Sequence, residues 1–206
     1  MRKIETIWHH LLQAALAEKQ FKHTQQGLAS FFGYSVSTIN HGLVVPTQIG
    51  AIRKESKFFV LENFQKLLYY WASARNLEKD VIYKTHYPAT IKEIEGLIPS
   101  EGIYACYSAA SRIFDEPPAD YSKVYFYIEE RNIEKVKQRF PRVKGQENVF
   151  VLKAPEALKN YGQITTLPQT FVDIWNLKDW YGQDFTRAIE NKIKGFFGPN
   201  FTCLVW

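Results

Sequence analysis

Residues 24–61 read TQQGLASFFGYSVSTINHGLVVPTQIGAIRKESKFFVL, and this stretch decides what the first part of the chain forms. Thr24 is a good N-cap residue ahead of a short apolar-periodic segment, Gly33 supplies a turn, and Ser35 caps a second segment. The positions predicted to fill the inner face and the turn are Leu28, Ala29, Phe32, Gly33, Val36 and Ile39. This spacing predicts a helix-turn-helix.

A basic strand-turn-strand pattern follows the second segment directly. Residues 50–53 and 58–61 are strand-like, and they flank residues 54–57, which carry two lysines. This pattern predicts a hairpin with positive charge at its tip. A helix-turn-helix followed at once by such a hairpin is the order of a winged helix-turn-helix, a module that reads DNA.

Two residues depart from a regular second helix. Gly42 occupies a position where the motif usually carries a third apolar residue, and Leu43 comes one place late. Pro46 would lose a backbone hydrogen bond inside a helix and would favour an extended conformation at Val45. We therefore expect the second helix to be short, kinked or ended at this proline.

Polar and basic residues of this stretch are the predicted DNA contacts. Cations of the hairpin suit phosphate or minor-groove contact, and polar groups of the second helix suit base edges or phosphates. The predicted set is Gln26, Ser35, Ser37, Thr38, Asn40, His41, Arg53, Lys54 and Lys57. The alternative is that these polar faces are merely solvated. Because the second helix has no Arg or Lys, affinity must come from the hairpin, from elsewhere in the chain, or from a homodimer on a repeated or palindromic site.

Composition and charge favour two folded domains, of which the first is basic. The 206 residues are 46% hydrophobic and 16% aromatic, which is enough for hydrophobic cores. The predicted domains are residues 1–79, a DNA-binding domain with a connector helix, and residues 80–206. The first holds ten Lys/Arg against five Asp/Glu and the second sixteen of each, so the net charge of +5 lies in the first. This distribution is expected of a protein that binds a polyanion with one module, although ordinary scatter also produces such an excess.

No membrane segment, metal site or cofactor motif is predicted. Cys106 and Cys203 are too few for a disulfide framework, and neither has metal-ligand spacing. Residues 1–20 are interrupted by polar side chains and do not form a signal-peptide core, and no apolar run approaches the roughly 20 residues of a membrane span. We expect a cytoplasmic protein with no cofactor and no membrane partner.

Helices are also predicted on both sides of residues 24–61. Residues 4–16 carry apolar side chains at i, i+3, i+4, i+7 and i+8, which predicts a core-facing first helix. His9 and His10 on it are expected at the surface, because neither has a partner that would complete a metal site. Residues 62–77 predict a helix that joins the two domains.

The rest of the chain alternates predicted strands and helices. Strands are expected at residues 81–87, 123–128 and 149–152, and helices at residues 91–98, 103–112 and 133–140, the last capped by Asn132. Two more helices, starting near Pro168 and near Asp179, are expected to cover the sheet. The predicted fold class is therefore α+β: an N-terminal winged helix-turn-helix followed by a small α/β domain with covering helices.

Charge is unevenly distributed within the second predicted domain. Residues 131–144 hold six Lys/Arg against one Glu, whereas residues 80–130 hold four Lys/Arg against nine Asp/Glu. The candidate second polyanion patch consists of Lys135, Arg139, Arg142 and Lys144, with an ordinary solvated helix face as the alternative.

The sequence offers no catalytic motif. It contains no G-x-S-x-G, P-loop, G-x-G-x-x-G or HExxH pattern. The carboxylates closest to a metal-binding or catalytic set are Asp115, Glu116, Asp120, Asp173 and Asp184; a surface turn explains the first three better, and buried hydrogen bonding or capping the last two. The alternative function, a winged-helix-targeted nuclease or nucleotidyltransferase-like enzyme, would require two or more of these aspartates to converge in a cleft.

Several motifs together carry a resemblance to a known family. Besides the predicted winged helix-turn-helix, they are YSAA at residues 107–110, KVYFYI at residues 123–128, LP at residues 167–168 and VDIWNL at residues 172–177. With them the chain resembles, over nearly its whole length, the AbiEi-like transcriptional regulators, which are antitoxins of type IV toxin–antitoxin and phage-defence systems. The resemblance implies a repressor that binds double-stranded DNA repeats in its own promoter. It also implies a second domain that counteracts a nucleotidyltransferase-like toxin without necessarily touching it, and it brings no catalytic residues.

Overall fold

The computed structural model describes residues 1–197 and divides the chain into two compact units. Among the described residues, the front unit is Arg2–Arg75 together with residues 190–197, and the back unit is Asn76–Ile189 with Met1. Each unit contains one small sheet besides its helices, so the fold class is α+β. Across residues 1–197, no helix combines the length and the apolar content that crossing a membrane requires.

Residues 2–75 of the front unit form a helical group with a small sheet. Its helices are α1 (Lys3–Ala17), α2 (Gln25–Phe32), α3 (Val36–Gln48) and α4 (Phe64–Ala74). Its strands are β1 (Lys22–His23), β2 (Ile52–Lys54) and β3 (Phe59–Leu61). Both pairings are antiparallel, and the order across the sheet is β1-β3-β2.

Helix α1 buries the apolar stripe that predicted it. Ile7, Leu11 and Leu12 are fully buried. The expectation that His9 lies at the surface is wrong, because this side chain is 1% exposed and its ring lies 5.8 Å from that of Trp71. Both α3 and α4 pack against α1, so its buried surface is wider than one stripe.

A buried ion pair connects α1 to the end of α4. The Arg75 guanidinium donates to Glu5 Oε2 at 3.1 Å, and both side chains are almost inaccessible to solvent. Burial alone would raise the pKa of Glu5, but Arg75 and hydrogen bonds from Arg2 and Trp71 outweigh it and hold this pKa below its ordinary value. The carboxylate is therefore charged and fully engaged in holding α1 and α4 together.

The predicted caps of α2 and α3 are confirmed. Thr24 Oγ1 accepts from the Gly27 N–H at 3.0 Å, and Ser35 Oγ accepts from the Thr38 N–H at 3.1 Å. Between the helices, Gly33 has a φ of 64°, in the left-handed region that glycine adopts without strain. The prediction that Val36 faces inward is wrong, because it is the first residue of α3 and is 45% exposed.

Helix α3 continues through Pro46 to Gln48, so the expectation that it is short or ends at this proline is wrong. A proline cannot donate to the carbonyl four residues earlier, which here is that of Gly42. The indole N–H of Trp8 donates to this oxygen instead, at 2.7 Å. Gly42 also permits close approach of α1, since a Cβ there would lie 3.0 Å from Ile7 Cδ1.

The hairpin strands are paired as predicted, but the sheet has a third member. Strands β2 and β3 are antiparallel, with Arg53 opposite Val60. Strand β1 was not predicted; it pairs with the other edge of β3, and the Leu61 N–H donates to the Phe21 carbonyl at 2.9 Å next to it. A two-residue strand has no periodicity to recognise, and it exists because β3 offers an open edge.

The back unit is built on a four-stranded mixed sheet. Its strands are β4 (Val81–Thr85), β5 (Ile103–Ala105), β6 (Val124–Ile128) and β7 (Val149–Lys153), in the order β4-β7-β6-β5. Among these four strands, β6 and β7 pair in parallel, and the other two pairings are antiparallel. The helices are α5 (Ile91–Gly96), α6 (Cys106–Ile113), α7 (Ile133–Arg139), α8 (Leu167–Trp175) and α9 (Gly182–Phe197), the last of which ends among the residues of the front unit.

Strand β6 shows how this sheet is covered on two faces. Its alternate residues point to opposite sides. Phe126 lies in a core with Ile94 of α5 and Val136 of α7. On the other side the Tyr127 hydroxyl donates to Asp173 of α8 at 2.7 Å. The hydrogen bond explains why a carboxylate sits in the apolar sequence of α8.

Residues 103–112 do not form the single helix that was predicted. Ile103–Ala105 is strand β5, which pairs with β6, and α6 begins at Cys106. Cys106 has a φ of 50°, unusual for a residue with a side chain, and this conformation turns the strand into the helix. Tertiary pairing with β6 overrides the helical pattern of the sequence.

Two predicted helix starts are also wrong in detail. Helix α9 begins at Gly182, and the carboxylate of Asp179 instead accepts from Lys123 Nζ at 2.5 Å and from the Tyr107 hydroxyl at 3.3 Å. Asn132 precedes α7 but its side chain makes no capping hydrogen bond. In the first case a charged partner distant in sequence competes for the carboxylate that local sequence assigns to a cap.

Candidate nucleic-acid interface

The solvent-facing side of α3 carries no charge. Its buried residues include Ile39, Leu43 and Pro46, which face α1 and the core. The exposed residues are Val36, Ser37, Asn40, His41, Val44 and Gln48. At 100° per residue these six positions fall on one continuous side of the helix. The face therefore offers amide, hydroxyl, imidazole and methyl groups, and no cation or carboxylate.

Three of these residues form a row along the helix axis. Val36, Asn40 and Val44 are spaced at i, i+4 and i+8, so each lies one turn beyond the last on the same face. The valines are 45% and 38% exposed. An amide therefore stands between two apolar groups on the open side of α3.

Ser35 and Thr38 are occupied in the cap of this helix. Ser35 Oγ accepts from the Thr38 N–H, and the two hydroxyl oxygens lie 2.9 Å apart. Their established role is to begin α3, and a contact to DNA would have to use the remaining hydrogen-bonding capacity of each hydroxyl.

One hydrogen bond connects the hairpin to this face. Lys54, the last residue of β2, donates from Nζ to Asn40 Oδ1 at 2.9 Å. Because an ammonium group can only donate, the bond fixes the amide oxygen toward Lys54 and leaves the amide N–H groups directed away from it. The polar centre of the α3 face and the hairpin are thus held together.

A polar cleft lies between the start of α2 and the hairpin tip. It has a volume of about 340 Å³, and its lining includes Gln25 and Gln26 together with Lys54 and Lys57. Within residues 1–197 neither lysine forms a salt bridge with a carboxylate. The structure therefore brings together three residues of the predicted set, Gln26, Lys54 and Lys57, in a concave surface that holds two cations and the Glu55 carboxylate, which pairs with Arg53.

Arg53 differs from these lysines. Its guanidinium forms salt bridges with Glu55 and with Glu62. Two carboxylates around one guanidinium offset its charge, so Arg53 adds less to the positive potential of the hairpin than its sequence position indicated. The accessible positive charge of the hairpin lies on Lys54 and Lys57.

The packed histidines His9, His10 and His23 contribute no positive charge to this unit at neutral pH. Burial lowers the pKa of His9 to about 3 and that of His23 to about 4. Burial also lowers the pKa of His10, which is half-buried and whose ring lies 4.6 Å from Phe31, so the expectation of a surface histidine holds for it only in part. These three rings pack as neutral groups against aromatic side chains.

The four residues of the candidate second patch lie in the back unit, and most of them have local partners. Lys135 forms a salt bridge with Glu101, and Arg139 donates to the Leu97 carbonyl at 3.0 Å. The Arg142 guanidinium lies 5.8 Å from the centre of the Tyr83 ring, and Lys144 is exposed. The cations of this patch serve contacts within the back unit as well as facing solvent.

Two of the aspartates considered for catalysis share a cavity, and the other two lie elsewhere. Asp115 and Asp120 line a cavity of about 510 Å³ with Glu95 and Arg112. Asp173 is fully buried and accepts from Tyr127 and from Gln169, whereas Asp184 is exposed on α9. Among residues 1–197, no group of three or more His, Cys, Asp or Glu side chains is placed to hold a metal ion.

Sequence reasoning missed the apolar members of the α3 face. Val36 was assigned to the core, and Val44 and Gln48, one on each side of Pro46, were not considered. Continuing the helical spacing from Asn40 through this proline would have found both.

Comparison of the chain with protein-family models, with curated proteins and with solved structures finds no match. The functional conclusion therefore rests on the residues and geometry described above.

Proposed function

We propose that the front unit is a winged helix-turn-helix that binds double-stranded DNA. In this proposal α3 is the recognition helix in the major groove, and the β2–β3 hairpin is the wing that contacts the phosphate backbone. The observation that carries it is the hydrogen bond from Lys54 to Asn40. It holds a cationic hairpin beside the uncharged polar face of a capped and exposed helix.

The hairpin and α3 would contribute differently to binding. Lys54 and Lys57, with the cleft that they line beside Gln26, suit phosphate oxygens, which supply affinity in a salt-dependent way. Asn40, Ser37 and His41 suit base edges, which supply specificity. Because α3 has no cation and the accessible charge of the hairpin lies on two lysines, one module would bind weakly, and we propose that a homodimer occupies two half-sites.

We further propose that the protein is an autorepressor and the antitoxin of a toxin–antitoxin operon. The resemblance to the AbiEi-like regulators and the basic first part of the chain support this. The DNA partner would be repeats in its own promoter, and the functional partner a nucleotidyltransferase-like toxin. If a neighbouring gene encodes such a toxin, co-expression should relieve its growth arrest, and continued arrest would contradict the antitoxin role.

DNA binding is tested with the duplex upstream of the protein's own gene, labelled for fluorescence anisotropy, over a series of salt concentrations. We expect the logarithm of the association constant to fall linearly with the logarithm of salt. The double variant K54A/K57A should reduce the slope by about 2, because each phosphate contact contributes roughly 0.9. R53A should change it by less than about 0.5, because its charge is already offset.

The matched control is K92A/K178A, which removes two exposed lysines of the back unit and should leave the slope unchanged. An absence of binding at the lowest salt concentration would overturn the proposal. A slope that is equal in K54A/K57A and in the unaltered protein would show that the hairpin lysines do not contact phosphates.

A further inference from the structure

We propose that α3 recognises the C5-methyl groups of thymine, so that the bound site has A·T base pairs facing Val36 and Val44. This inference rests on the proposed function and specifies its ligand. The two valines would contact thymine methyls, and Asn40 between them would read an adenine.

The exposure of the valines is the first support. Single exposed apolar residues are common on protein surfaces and by themselves have no meaning. Here Val36 and Val44 are 45% and 38% exposed, and both lie on the face that carries Asn40. The thymine methyl is the one apolar group that base pairs present in the major groove, so it is the natural partner for this row.

The second support is that the exposed face of α3 lacks the charged side chains that usually read guanine and cytosine. Guanine is read most often by Arg or Lys, and cytosine by a carboxylate. The exposed residues of α3, from Val36 to Gln48, include none of these. What the face does offer is an amide, which pairs with adenine through two hydrogen bonds, and methyl groups.

Lys54 prepares Asn40 for this task. The hydrogen bond from Lys54 Nζ to Asn40 Oδ1, 2.9 Å long, fixes the orientation of the amide. A carbonyl oxygen has two lone pairs, so Oδ1 keeps one for the adenine N6 amino group, while the amide N–H donates to N7. The wing thereby reduces the conformational freedom that adenine recognition would otherwise remove.

Successive members of the row are spaced about two base-pair steps apart. A rise of about 1.5 Å per residue separates successive members by roughly 6 Å, or about two base-pair steps of 3.4 Å. Val36 and Val44 therefore lie about 12 Å apart along the axis, which remains within one half-site. The expected element is an adenine with thymines about two steps away on either side.

The experiment begins with selection of binding sequences from a random 30-base-pair duplex library by the full chain. The enriched duplex is then synthesised with deoxyuridine in place of individual thymines, which removes only the methyl group. We expect each critical replacement to weaken binding about fourfold, as for one buried methyl. V36A and V44A should each become insensitive to deoxyuridine at one position, and the two positions should differ.

V143A is the matched control, because Val143 is also 45% exposed but lies in the back unit. It should bind the enriched duplex normally and keep the full response to deoxyuridine. Enrichment of a site whose binding is indifferent to deoxyuridine, or equal sensitivity in V36A, V44A and the unaltered protein, would overturn this inference and leave DNA binding intact. Failure to enrich or bind any duplex would instead overturn the proposed function.

Discussion

The carbonyl oxygen of Gly42 links the roles of Trp8 and Pro46. Pro46 leaves the Gly42 carbonyl without its helical donor, and the Trp8 indole supplies one from another helix at 2.7 Å. A buried carbonyl without a donor would lose the full solvation of that group. The proline inside α3 is therefore tolerated because α1 carries a tryptophan at one position.

The pair is tested by a double-mutant cycle. W8F keeps an aromatic ring but removes the donor, and we expect the free energy of unfolding to fall by about 1–3 kcal/mol. P46A restores an N–H group at the right place in the helix, so W8F should cost less in its presence, by about 1 kcal/mol. Urea denaturation of the four proteins measures this coupling.

The control for this cycle is W180F, at a tryptophan that is 79% exposed, which should change stability by less than about 0.5 kcal/mol. A coupling of zero between Trp8 and Pro46 would mean that the Gly42 carbonyl is satisfied in another way.

At the scale of elements, the sequence predicted the helix caps and the turn, which depend on contacts between residues close together in the chain. The caps at Thr24 and Ser35 and the turn at Gly33 were predictable because side chain and backbone meet within three residues. Strands β1 and β5 were not, because two or three residues become a strand only when a distant edge accepts them. The continuation of α3 beyond Pro46 depends likewise on a donor 38 positions earlier in the chain, Trp8.

Ser35 is predicted both to cap α3 and to contact DNA, and substitutions can test these two roles separately. S35A removes the acceptor for the Thr38 N–H and should lower the free energy of unfolding by about 1 kcal/mol. S35N should restore most of the loss, because asparagine caps equally well. If capping is the whole role of Ser35, thermal unfolding will rank the three proteins in this way while DNA affinity of the folded protein stays the same. A loss of affinity in S35N with stability retained would assign Ser35 to the DNA contact.

At the scale of the whole molecule, the front unit is not continuous in sequence. Residues 190–197 belong to it, and the Phe197 ring lies 5.0 Å from Phe64 and 6.4 Å from Phe21. Lys19 Nζ donates to the Phe196 carbonyl at 2.8 Å. Amphipathic spacing predicted a helix here, but spacing within one segment does not say which distant residues its apolar side will meet.

This arrangement predicts that the C-terminal end of α9 stabilises the front unit. F197A should lower its free energy of unfolding by roughly 2 kcal/mol, because the ring packs on two aromatic side chains that the unit buries. A fragment of residues 1–79 should be less stable than the same residues in the full chain. Hydrogen exchange of α1 and α4 amides measures both effects.

F196A is the adjacent control, since Phe196 is 48% exposed and its bond to Lys19 uses the backbone. Its effect should be well below that of F197A. Equal protection of α1 and α4 in the fragment and in the full chain would show that residues 1–79 need nothing from α9.

The pairing of Trp8 with Pro46 also predicts that the two positions change together during evolution. A chain that lost Pro46 would regain the N–H group that serves the Gly42 carbonyl, and the tryptophan at position 8 would then be free to change. A chain that kept the proline but lost the tryptophan would carry a defect in the helix proposed to read DNA. In descendants of this sequence we therefore expect the two residues to be retained together or replaced together, although 38 positions separate them.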